Sequence, residues 1–176
     1  MIKLNVVSRI ADDKDFFNFY LEALSLVKKK FGHCIGIYFI GEIYCTEVFN
    51  KIVTRANELS IRDLVSFSNK SIPINELPSS YNDVYLNISI GDFIGYSSIE
   101  CLYYGLKTIF YNGDSLVSSN SKYRCFCNTI EELAFLLNDI QSSSMVMQNL
   151  IEENRQLLQY YFISDTDKKE LLKLLI

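Results

Sequence analysis

Histidine is nearly absent from this sequence: His33 is the only one among 176 residues. It falls between the first predicted helix and the second predicted strand, at the edge of the predicted sheet opposite to the expected ligand site. We therefore interpret His33 as a surface turn residue. A Ser-His-Asp or Cys-His catalytic arrangement is not supported, because the only imidazole lies away from that site.

The sequence also lacks an excess of positive charge, with 17 Lys and Arg against 21 Asp and Glu and a net charge of -4. A nucleic-acid-binding surface needs a basic patch that such a composition does not provide. We expect no nucleic-acid partner. Any recognition of phosphate should depend on a local pocket formed by a few cations.

Cysteine patterning indicates neither disulfides nor zinc, since the five cysteines are odd in number and form no C-x-x-C pair. We interpret Cys125 and Cys127 as buried small residues on one face of a strand. The apolar start of the chain is too short for a signal segment or a membrane span. These features predict a cytoplasmic protein without a metal site, in which the Asn-x-Ser sequences at Asn69 and Asn87 occur by chance.

Short apolar segments rich in β-branched and aromatic residues alternate with longer segments of helical periodicity. This pattern is typical of a parallel sheet covered by helices on both faces. We predict one α/β domain over residues 1–176, with a Rossmann-like sheet of about six strands. The predicted strands are residues 4–8, 35–40, 64–67, 84–90, 107–111 and 123–127.

The predicted helices occupy the segments between these strands. They include a short helical turn over 75–80, a helix over 97–104 that Gly105 ends in the left-handed conformation, and a helix over 130–140. Two closing helices are expected from about 145 to 175, covering residues 145–160 and 166–175. A loop over 115–122 completes the predicted domain.

The loops after the first and fourth strands carry the candidate functional residues. Ligands of open parallel sheets bind beyond the carboxyl ends of the strands, where the direction of winding reverses. Arg9 and Lys14 flank the start of the first helix and could together neutralise a diphosphate. Asp92 and Gly95 belong to a glycine loop, and Glu100 lies in the first turn of the helix that this loop opens. The helix N-terminus offers backbone donors to phosphate or sugar oxygens.

The succession of these segments resembles the donor-binding domain of the retaining GT-B glycosyltransferases that carry the E-x7-E motif, the group 1 glycosyl transferases. Residues 8–15 match the cations of G-R-x4-K-G and lack its glycines, and residues 39–42 resemble the first four positions of I-V-G-x-G. Residues 65–69 match V-x-F-x-G with Asn69 in place of glycine. Residues 92–100 align with E-G-F-G-x4-E, and residues 100–109 resemble the E-A-x-x-x-G-x-P-V-V that follows.

This resemblance implies metal-independent and cofactor-free transfer of a sugar from a nucleotide diphosphate, with retained anomeric configuration. Arg9 and Lys14 would hold the diphosphate leaving group and stabilise its charge, and Glu100 would bind the ribose. Asp92, with the backbone of Gly95 and Tyr96, would bind the transferred sugar. By the same resemblance Arg9, Lys14 and Asp92 are the expected catalytic residues.

Enzymes of this family also have an N-terminal domain that binds the acceptor and completes the active site. We expect that domain, or a separate subunit, as a partner that could bring peripheral membrane contact, in the setting of polysaccharide biosynthesis. An alternative is a degenerate nucleotide-sugar-binding or scaffolding module, because Asp92 is shorter than the usual glutamate and Phe93 replaces a glycine. A Rossmann-like domain of another function also stays open, although G-x-G-x-x-G and P-loop motifs are absent.

Overall fold

The computed structural model describes residues 2–13, 17–88, 96–111 and 123–161. These residues contain a parallel six-stranded sheet with the strand order β3-β2-β1-β4-β5-β6. The strands are β1 (Lys3–Val7), β2 (Gly36–Ile40), β3 (Val65–Phe67), β4 (Asp83–Ile88), β5 (Thr108–Tyr111) and β6 (Phe126–Cys127). The predicted Rossmann-like α/β fold is confirmed.

Helices cover both faces of the sheet. They are α1 (Phe17–Phe31), α2 (Thr46–Glu58), α3 (Tyr96–Tyr103), α4 (Ile130–Ser142) and α5 (Ser144–Tyr161). Helix α1 contacts α2 and α4, whereas α3 packs against α5 on the other side. This arrangement follows from the right-handed crossover between successive parallel strands.

Regular spacing of apolar residues explains how the helices bury one side. Leu133, Leu136, Leu137 and Ile140 of α4 recur at three- and four-residue steps, and all four are buried as predicted. On α1, the ring of Phe17 packs edge-on against Phe39 of β2, with the ring centroids 5.5 Å apart. The helices therefore pack against the sheet through the apolar faces that the sequence predicts.

Two short elements differ from the prediction. The helical turn covers Ile74–Glu76 rather than 75–80. Leu77 is extended (φ -70°, ψ 149°), because the following Pro78 disfavours the helical conformation of the residue before it. Residues 123–125 likewise precede β6 instead of forming part of it.

The prediction that Cys125 and Cys127 share one face of a strand is therefore wrong, since Cys125 lies in the turn before β6. Both thiols are nevertheless buried, as expected. Burial raises the pKa of Cys127 to about 12 and raises that of Cys125 further. A neutral thiol is a poor nucleophile and metal ligand, so these side chains serve packing.

The structure also tests predictions about Asn87, His33 and the closing helices. Asn87 is buried within β4, and His33 lies in the turn between α1 and β2 with Nε2 3.5 Å from Ser142 Oγ. The first closing helix is confirmed as α5. The second closing helix and the loop over 115–122 fall outside the described residues.

Within the described ranges, no helix combines the length and apolar character that crossing a bilayer requires.

Candidate functional site

Strands β1 and β4 lie side by side in the centre of the sheet, paired in parallel through Lys3 with Asp83, Leu4 with Val84 and Asn5 with Tyr85. From β1 the chain winds outward to β2 and β3, whereas from β4 it winds the opposite way to β5 and β6. The reversal therefore falls between the strands that precede the two candidate loops. We call the side of the sheet at which all the strands end the carboxyl edge.

The segment after β1 follows the segment after β2 past the end of the sheet. Ser8 N donates to Ile40 O at 3.0 Å, Ile10 N donates to Glu42 O at 2.9 Å, and Ile10 forms an isolated parallel bridge with Ile43. These bonds fix the backbone on both sides of Arg9. The arginine is thus mounted on an ordered extension of the sheet.

Gly41 permits this close approach of the two segments. A Cβ atom at residue 41 would overlap Ser8 O and would lie 2.7 Å from Ser8 C and 2.9 Å from Arg9 N. Real Cβ atoms do not come so near to backbone, so only glycine fits here without displacing the loop. The glycine that matches the I-V-G-x-G pattern therefore positions the backbone of Arg9.

Arg9 forms an ion pair with a carboxylate four residues later. Its Nη2 lies 2.7 Å from Oδ2 of Asp13, and both side chains are more than half exposed, at 56% and 53%. Exposed ion pairs of this kind contribute only about 0–1 kcal/mol. The guanidinium can therefore exchange this carboxylate for a phosphate oxygen at little cost.

Glu100 is exposed on α3, as are Tyr103 at the end of the helix and Tyr104 in the turn that follows. The prediction that Glu100 lies in the first turn of its helix is wrong, because α3 begins at Tyr96 and Glu100 falls in the second turn. Its carboxylate still belongs to the helix that follows β4. An exposed carboxylate there can accept hydrogen bonds from two neighbouring hydroxyls.

The C-terminus of α3 behaves as predicted. Gly105 has a φ of +70°, in the left-handed region, and its N donates to Leu102 O at 3.0 Å. Leu106 N donates to Cys101 O at 2.9 Å, which completes a Schellman motif. This motif ends the helix and sends the chain into β5.

The remaining predicted site residues cannot be placed. Lys14, Asp92 and Gly95 lie outside the described residues, and Tyr96 is described only as the first residue of α3. Their assigned roles stay predictions. The structure places the segment of Arg9 and the helix of Glu100 after adjacent strands.

Sequence reasoning missed the polar residues after β2 and β3, which end at the same edge. Ser68 Oγ accepts from Gly41 N at 3.0 Å and donates to Lys70 O at 2.7 Å, so it ties the two loops together. This brings Lys70 to the carboxyl edge as a further exposed cation. Asn69 adopts a φ of 50°, which asparagine tolerates, so it can replace the glycine of the family pattern.

The sheet order and the two-sided helix cover match the C-terminal halves of GT-B glycosyltransferases. One similar structure is the C-terminal domain of LpcC, a glycosyl transferase group 1 family protein from Francisella tularensis. The identity is 15% and the TM-score 0.68, with 91% of this chain and 85% of that one covered. The class of fold is thereby established.

Two further structures agree. Anabaena HepE, solved in complex with UDP and glucose, shows 12% identity and a TM-score of 0.73, with 99% of this chain and 48% of HepE covered. The catalytic domain of cholesterol-α-glucosyltransferase from Helicobacter pylori shows 14% identity and a TM-score of 0.65, with 92% of this chain and 100% of that one covered. The present chain thus spans about half of HepE. Neither a protein-family model nor a curated protein matches the sequence.

Proposed function

We propose that this chain is the donor-binding part of a retaining glycosyltransferase that uses a nucleotide-diphosphate sugar. The observation that carries the proposal is the position of Arg9, which Gly41 and the Ile10–Ile43 bridge hold at the carboxyl edge of a GT-B C-terminal fold. Support comes from the bond of Arg9 to a carboxylate, because the same donors suit a phosphate oxygen. The complex of HepE with UDP and glucose is consistent with this ligand class.

The proposed sugar transfer requires that negative charge be stabilised at the carboxyl edge. Transfer breaks the bond between the anomeric carbon and a diphosphate oxygen, so negative charge develops on the leaving group. The guanidinium of Arg9, joined by Lys14, stabilises that charge electrostatically, and the proposed mechanism requires no metal. Glu100 accepts hydrogen bonds from the ribose hydroxyls, while Asp92 and the backbone of Gly95 and Tyr96 bind the sugar.

The acceptor site is assigned to a second domain or subunit. Half-coverage of HepE agrees with a donor-binding half that works across an interdomain crevice. We therefore expect binding of nucleotide by this chain and no sugar transfer in the absence of an acceptor half. Surface-polysaccharide assembly is the setting that the family resemblance suggests.

The alternative is a degenerate module that binds or once bound nucleotide sugar without transferring it. The sequence observation that favours it is the Asp92-Phe93 pair, in which a shorter carboxylate and a bulky ring replace glutamate and glycine. Persistent absence of transfer with every acceptor half tested, despite nucleotide binding, would support this alternative.

Calorimetric titration of the chain with UDP, GDP and ADP tests the proposal. Arg9→Ala should weaken binding at least tenfold, because a charge-assisted hydrogen bond contributes about 1.5–3 kcal/mol. Glu100→Ala should weaken nucleotide binding while leaving the affinity for inorganic pyrophosphate unchanged. Arg155→Ala and Glu152→Ala, on the exposed surface of α5, are matched controls that should bind as the wild type does. The proposal fails if no nucleotide binds or if the control variants lose as much affinity as the site variants.

A further inference from the structure

Tyr44 presents a large aromatic side chain to solvent at the carboxyl edge, with 67% of its surface exposed. It lies between β2 and α2, in a segment outside the two loops that sequence reasoning selected. Exposing a tyrosine ring gains nothing for folding, because burial of aromatic surface is what stabilises a core. What distinguishes Tyr44 from another exposed tyrosine such as Tyr81 is its position beside Arg9.

The backbone of Tyr44 is fixed relative to the segment of Arg9. Tyr44 N donates to Ile10 O at 2.9 Å, and Cys45 N donates to the same oxygen at 3.0 Å. The Ile10–Ile43 bridge lies between the two side chains of interest. Since neighbours of a bridged pair project to the opposite side of paired extended segments, Arg9 and Tyr44 flank the bridge on a common side.

The side chains of Glu42 and Arg9 also interact electrostatically with Tyr44. A hydrogen bond from the Tyr44 hydroxyl to the Glu42 carboxylate, together with its negative charge, raises the pKa of Tyr44. The positive charge of Arg9 acts in the opposite direction on the same pKa. Glu42 and Arg9 thus both lie close enough to the exposed Tyr44 side chain to influence its hydroxyl.

We propose that the ring of Tyr44 stacks on the nucleobase of a nucleoside diphosphate whose phosphates are bound by Arg9. This inference rests on the proposed function and adds the residue that recognises the nucleoside. A base has an apolar face that stacks on an aromatic ring whatever its hydrogen-bonding edge. Tyr44 therefore favours nucleoside diphosphates over inorganic pyrophosphate, and it discriminates little between bases.

The test compares the nucleoside diphosphate that binds most tightly, among UDP, GDP and ADP, with inorganic pyrophosphate on the same protein. Tyr44→Ala should weaken nucleotide binding about tenfold, the loss expected for one stacked base, and leave pyrophosphate affinity unchanged. Tyr44→Phe keeps the ring and should bind nucleotide nearly as the wild type does. The control is Tyr81→Ala, a tyrosine that is 53% exposed in the turn before β4, at the other end of the strands.

The outcomes separate this inference from the proposed function. If the wild type binds nucleotide and Tyr44→Ala binds it equally well, the stacking role is overturned while the proposed function stands. If Tyr44→Ala loses nucleotide and pyrophosphate to the same extent, the residue supports the loop and not the base. Absence of any nucleotide binding by the wild type overturns both. Circular dichroism of each variant establishes that the fold is retained, which an exposed side chain should allow.

Discussion

The carboxamide of Asn154 on α5 bonds both backbone groups of Thr108: Oδ1 accepts from Thr108 N at 2.6 Å and Nδ2 donates to Thr108 O at 2.9 Å. Strand β6 pairs only with Phe110 and Tyr111, so it does not reach the first residues of β5. The Asn154 side chain replaces the missing strand partner. It attaches the last described helix to the sheet through a buried polar contact.

Replacing Asn154 by alanine should lower the free energy of unfolding by about 2–4 kcal/mol, because two buried backbone groups of Thr108 lose their partners. Asn154→Asp keeps the acceptor for Thr108 N and removes the donor to Thr108 O, so it should also destabilise the fold. Urea denaturation followed by circular dichroism measures both. Gln148→Ala, on the exposed side of α5, is the control, and an equal loss in that variant would contradict the account.

Gly41→Ala should destabilise the fold by about 1–3 kcal/mol, the range for overpacking a closely packed position, and should weaken nucleotide binding by displacing Arg9. Gly36→Ala, at the start of the strand that Gly41 follows, is the matched control. Its added Cβ would meet only Leu64 O at 3.8 Å, an ordinary contact. Thermal unfolding and nucleotide titration of both variants check this, and wild-type behaviour of Gly41→Ala would rule out the close approach.

Acid should destabilise the protein through Asp83. Burial alone would raise the pKa of this carboxyl, but hydrogen bonds from Ser80 and Asn5 and the charge of Lys3 outweigh it and lower the pKa. The resulting stabilisation is present above the unfolded-state pKa of about 3.9 and disappears as the pH falls through the lower folded-state value. The free energy of unfolding of Asp83→Asn should therefore depend less on pH below about 4 than that of the wild type. The exposed Asp63→Asn is the control and should not show this change. Identical acid unfolding profiles of Asp83→Asn and wild type would refute the role of Asp83.

Under the proposed function, Asp13 would compete with phosphate for Arg9, because its carboxylate is bound to the guanidinium. Asp13→Asn should therefore tighten nucleotide binding by about two- to fivefold, consistent with an exposed ion pair of at most about 1 kcal/mol. Asp12→Asn removes the same charge one residue earlier and should give a smaller gain. Calorimetry at two salt concentrations distinguishes a specific ion pair from a general change in charge, and equal gains from the two variants would count against competition at Arg9.

The central elements were predictable because their signals are local. Continuous apolar runs indicated the strands, regular apolar spacing indicated α1 and α4, and the glycine at 105 indicated the end of α3. The boundaries of β6 were not predictable in this way. A polar side chain of α5, 46 residues away along the chain, satisfies the edge of β5, and no local pattern reveals that the neighbouring strand stops short.

The candidate site was predictable in its location and less so in its composition. The rule that ligands of open parallel sheets bind where the winding reverses selected the loops after β1 and β4, and the structure confirms that these two strands adjoin. Tyr44 and Lys70 were missed because the search was limited to those two loops, although the loops after β2 and β3 end at the same edge. The ion pair of Arg9 with Asp13 was not predicted, because it forms in the non-helical segment after β1, where an i,i+4 spacing carries no signal.

The most direct test is an NMR titration of the isotope-labelled chain with its preferred nucleoside diphosphate, followed through the backbone amides. Binding at the carboxyl edge predicts shifts at Ser8, Ile10, Gly41 and Tyr44. Gly32 and Gly105, which lie where helices end and lead into strands, should stay unperturbed. Saturable shifts confined to that opposite side of the sheet, or no shifts at all, would contradict the assignment of a nucleotide site to the carboxyl edge.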